Sequence, residues 1–125
     1  MLKLIAIAGA LLLSGPALAQ HAHGNQKGPN GGPMEDVAGV HAELLVSGPS
    51  LTVKIFDEAG KPVDTTGFTG SAMIVAGNDR KTLQLTPSKE ALSGQAAAPI
   101  PSGAAITLVV KTVAGKSGQA KFTTP

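Results

Sequence analysis

The chain has no cysteine, no tryptophan and no tyrosine, and its only aromatic side chains are Phe56, Phe68 and Phe122. Without cysteine there can be no disulfide and no thiolate metal ligand. Small secreted domains often depend on disulfides, so this one has to be held by packing. So few aromatics leave no stacking platform for bases or sugars. Charge is also scarce: ten basic and eight acidic side chains give a net charge of +2 over 125 residues. Removing Lys3 with the leader described next lowers this to +1. That balance gives no electrostatic case for nucleic acid or an anionic membrane as partner.

Residues 1–19 read as a secretory signal peptide. Lys3 supplies the positive end and residues 4–13 the apolar stretch. Ser14-Gly15-Pro16 breaks the helix, and Ala17-Leu18-Ala19 is a small-x-small cleavage site. The apolar run falls short of the ~20 residues a spanning helix needs. Cleavage after Ala19 leaves about 106 residues starting at Gln20, enough for one small domain with its own core. The expected location is the periplasm, with no stable membrane anchor once the signal is removed.

Residues 20–36, QHAHGNQKGPNGGPMED, have no apolar periodicity and are punctuated by glycine and proline. They are expected to form a flexible N-terminal arm. From Val37 to Pro125 the pattern changes. Val40, Ala42, Leu44 and Val46 alternate with their neighbours, which is the period of a half-buried strand. Gly48-Pro49 turns the chain into a second such run over 51–55. Further strands are expected over 70–76, 81–86, 91–97, 105–113 and 118–124, with turn residues between them. About seven short strands and no helical period predict an all-β domain. Its size and strand number favour an Ig-like β-sandwich, although the Cys…Trp…Cys signature is missing.

All three histidines, His21, His23 and His41, fall near the mature N-terminus, and none follows His41. Histidine is the commonest ligand for copper and zinc, so this clustering points to metal. In an extended chain His21 and His23 project to the same side and could share one ion. The plain alternative is a solvated tail with no preferred metal. His41 and Glu43 share the face of the first strand opposite Val40, Ala42 and Leu44. They are expected to point outward as an imidazole–carboxylate pair, or else to form an ordinary exposed polar pair. Met34 offers a thioether suited to Cu(I), whereas Met73 reads as core filler. The Gly-rich run Gly28-Pro29-Asn30-Gly31-Gly32 has no preceding strand and no following helix, which excludes a phosphate cradle and leaves a structured turn. No Gly-x-Ser-x-Gly elbow occurs, and neighbouring carboxylates such as Glu35-Asp36 and Asp57-Glu58 lie in expected loops. No enzymatic activity is expected.

The segment GPNGGPMEDVAGVHAELLV resembles small bacterial periplasmic proteins and the N-terminal extensions of heavy-metal efflux adaptor subunits. Those carry Gly-Pro-His-Gly-Gly, an apolar-acidic stretch and a strand with Glu-Leu. The resemblance continues through FDEAGKPVDTTGFTGSAMIVAGNDRKTLQLTP to Ala120-Lys121-Phe122-Thr123, and so covers most of the mature chain. It implies association with heavy-metal resistance and a partner in an efflux system. At the motif's histidine this chain has Asn30, a poor ligand for copper or zinc, so His21, His23 and His41 would have to supply a site instead. The reading is then a monomeric periplasmic copper or zinc buffer or carrier with candidate ligands His21, His23, His41, Glu43 and Met34. Its rival is a metal-free interaction module.

Overall fold

The structure, a computed structural model, describes residues 26–125. The expected signal peptide and the His21/His23 pair lie outside the described residues. Eight antiparallel strands and no helix make up the described chain: β1 Met34–Val37, β2 Val40–Ser47, β3 Ser50–Phe56, β4 Thr69–Ala76, β5 Asp79–Ser88, β6 Ala91–Gln95, β7 Ala105–Lys111 and β8 Ser117–Thr123.

Seven of these follow from the alternation of apolar residues. Ala42 and Leu44 of β2, Leu51, Val53 and Ile55 of β3, and Ile106, Leu108 and Val110 of β7 are all buried in one core. The residues between them face outward, as period-two geometry requires. Short glycine turns set the registers. In the β2–β3 and β4–β5 hairpins a glycine, Gly48 or Gly77, takes the first turn position with positive φ. This matches the twist of the flanking strands.

β1 was not expected, because Met34-Glu35-Asp36-Val37 has neither alternation nor β-branched content beyond one valine. It forms by pairing with β2 through a two-residue turn, Ala38-Gly39. Both turn residues have positive φ, 51° and 84°. An alanine in that region costs about 1–2 kcal/mol, so the turn carries no Asn-Gly signal in the sequence. Residues 34–36, expected in the N-terminal arm, therefore belong to the sheet.

The strand order is β1-β2-β3-β6-β5-β4-β7-β8 in one sheet. An Ig-like sandwich would divide the strands between two sheets, but here β5 belongs to both halves. Its residues 79–85 pair with β4, and residues 86–88 pair with β6. The sheet curls until its two ends approach, and a Cβ at Gly118 on β8 would lie 2.7 Å from the Ala38 backbone nitrogen. The result is nearly a barrel. No helix among the described residues is long and apolar enough to cross a membrane.

Candidate functional site

The outer face of β1 and β2 carries the chemistry. Antiparallel register places Met34 opposite Glu43 and Asp36 opposite His41. All four side chains thus fall on the face turned away from Ala42 and Leu44. The segment before β1 folds back over this face. Gly28 N donates to Gly32 O at 2.7 Å, and Gly31 N donates to Gly28 O at 3.0 Å. Met34 N donates to Gln26 O at 3.1 Å and Leu44 N to Pro33 O at 2.9 Å, which attaches the loop to β2.

Glu43 is the anchor of that loop. It points outward from the core, as expected, but it is fully buried, with 0% relative exposure. The face is the expected one, but the loop covers it. The Glu43 carboxylate accepts three N–H bonds: Asn30 N to Oε2 at 2.8 Å, Asn30 Nδ2 to Oε1 at 2.9 Å and Gly32 N to Oε2 at 2.9 Å. A buried carboxylate is tolerable only with such partners. The approach is close enough to demand glycine twice. A Cβ at Gly28 would sit 2.3 Å from Glu43 Cδ, and one at Gly32 would sit 2.2 Å from Leu44 O. Asn30, standing where the resembling motif has histidine, is thus a structural donor.

His41 lies beside this anchor. Its Nδ1 pairs with Asp36 Oδ1 across the β1–β2 ladder. His41 also lines a shallow depression of about 190 Å³ together with Gln26, Pro29, Met34, Phe56, Glu58 and Gly60. The structure therefore brings Met34 and His41 to one pocket wall and engages Glu43 with the loop that covers it. Met73 lies on the outer, non-core side of β4, half-buried between Thr82 and Thr107 in register. In the sheet order β3, β6 and β5 separate β4 from β2. Among the described residues no three His, Cys, Asp or Glu side chains form a group that could hold a metal.

Sequence reasoning missed Asp36 as the partner of His41, and Asn30 and Gly32 as the donors to Glu43. The first pairing follows at once if Ala38-Gly39 is taken as a two-residue turn, because Asp36 and His41 are then register partners. The second needs the fold. Comparison of the chain with protein-family models, with curated proteins and with solved structures gives no match.

Proposed function

We propose that the protein is a non-enzymatic, periplasmic metal-binding module that buffers or carries copper or zinc beside a heavy-metal efflux system. The observation that carries this reading is the shared pocket wall of Met34 and His41, with Gln26 on its rim. Carboxylate pairing at one imidazole nitrogen is the usual support of a metal-ligating histidine, because it fixes the tautomer and raises ligand basicity. With Nδ1 engaged by Asp36, coordination falls to Nε2. Imidazole plus thioether is a ligand set suited to Cu(I), and imidazoles alone suit Cu(II) or Zn.

The remaining ligands in this reading are His21 and His23. His23 precedes Gln26 by three residues, so its Cα lies no further than ~11 Å from that of Gln26, and the same limit for His21 is ~18 Å. Glu43 is left out of the ligand set, since its carboxylate is committed to three N–H donors.

The rival reading, a metal-free interaction module, is favoured by that same anchor. Glu43 gives the glycine loop a structural purpose that needs no ion. Calorimetric titration of the mature protein with Cu(II), Zn and, under reducing conditions, Cu(I) separates the two. In the metal reading His21→Ala/His23→Ala removes most Cu(II) and Zn binding, and Met34→Leu weakens Cu(I) alone. Wild-type binding no tighter than that of an unrelated histidine-poor domain sinks the metal reading and leaves the interaction module.

A further inference from the structure

We propose that Asn30-Gly31 is a site of spontaneous deamidation, and that the reaction irreversibly releases the residue 28–32 loop from Glu43. The proposal does not depend on metal binding. Asn30-Gly31 is the one Asn-Gly pair in the sequence; Asn25 is followed by Gln26 and Asn78 by Asp79. Both residues are exposed at the tip of the loop. Gly31 has φ +83°, and the position where its Cβ would stand is empty to 4 Å, so no side chain packs against the outer side of Gly31.

In the reaction the Gly31 backbone nitrogen, giving up its proton, attacks Asn30 Cγ. A bond forms between them, closing a five-membered succinimide. The Cγ–Nδ2 bond breaks, and Nδ2 leaves as ammonia with that proton. Water then opens the ring at either carbonyl, giving aspartate or isoaspartate. No oxidant or other reactant is needed.

The folded loop restrains both reacting groups. Gly31 N–H is held by Gly28 O at 3.0 Å, and the Asn30 carboxamide is held by Glu43 Oε1 at 2.9 Å. Reaction therefore waits for local opening, and its rate reports how often the loop lets go. The product cannot close again. The Nδ2–H donor is replaced by a carboxylate, which meets the Glu43 carboxylate, and two like charges at that spacing repel strongly. Isoaspartate also adds a methylene to the backbone and displaces the N–H of Gly32. Pro29 belongs to the wall of the 190 Å³ pocket, so that part of the wall is lost with the loop.

The test is ageing of the folded mature protein in mildly alkaline buffer, followed by peptide mapping and hydrogen exchange. The expected result is a one-dalton gain confined to the peptide holding Asn30. Glu43→Gln, which weakens the restraint, should raise the rate about tenfold. The aged protein and Asn30→Asp should both lose amide protection at Asn30 and Gly32 while β7 stays protected, which shows that each chain is folded. The wild-type chain in denaturant supplies the ungated rate. A folded rate equal to it overturns the gate, as does an equal rate in folded Glu43→Gln. No mass gain at Asn30, or intact Gly32 protection after the gain, overturns the proposal.

Discussion

The turn over residues 57–61 and the loop over residues 26–34 both carry glycine, and each is organised by one acidic side chain. Asp57 works locally. Its Oδ1 accepts the backbone N–H groups of Ala59 and Lys61, each at 2.9 Å, and the turn is solvent-exposed. Such an Asx turn needs nothing beyond its own five residues. Asp64 behaves similarly: hydrogen bonds from the Thr66 side chain and then its backbone hold its carboxyl below the usual carboxylate range. Glu43 works at a distance. It gathers donors from residues 11 and 13 positions earlier, and it does so buried. In water a carboxylate loses little when a local donor leaves, because solvent replaces it. Under a loop the donors and the acceptor depend on each other, so the interaction is worth more and fails more completely.

That contrast orders three stability predictions. Glu43→Ala should have the largest effect, about 3 kcal/mol in denaturant unfolding, since three N–H bonds to a charged acceptor are lost. The loss is limited because a released loop can hydrate its own amides. A cost under about 0.5 kcal/mol would mean that the loop contributes nothing to the fold. Gly28→Ala comes second, at about 2 kcal/mol, because the new methyl collides with the Glu43 side chain. In a Glu43→Ala background the collision disappears, so the same substitution should become nearly neutral; additive costs would show that the close approach is not what demands glycine. Asp57→Ala is the smallest, about 0.5–1 kcal/mol, with loop amides Ala59 and Lys61 exchanging faster. An Asp57 effect equal to that of Glu43 would erase the distinction between the two turns.

The strands were legible because burial on one face writes itself into alternation: Leu51, Val53 and Ile55 would read as a strand in any context. The short β1 was not, since its pairing depends on an alanine in a conformation alanine disfavours. The single continuous sheet was also hidden. It hinges on β5 changing partners between Leu85 and Thr86, and period two says nothing about which neighbour a strand has. For the candidate site, the shared face of His41 and Glu43 was readable from parity, but their exposure was not. Parity tells which way a side chain points and is silent on what covers it.

The sequence by itself determined seven of the eight strands, most of their turns and the facing of side chains in the alternating runs, because these rest on interactions between near neighbours along the chain. Only the tertiary structure decided that the Gly-rich segment closes over β2, that Glu43 is buried as its anchor and that Asn30 is a donor to it. Those outcomes depend on groups far apart in sequence meeting at hydrogen-bond distance, and no local pattern encodes that meeting.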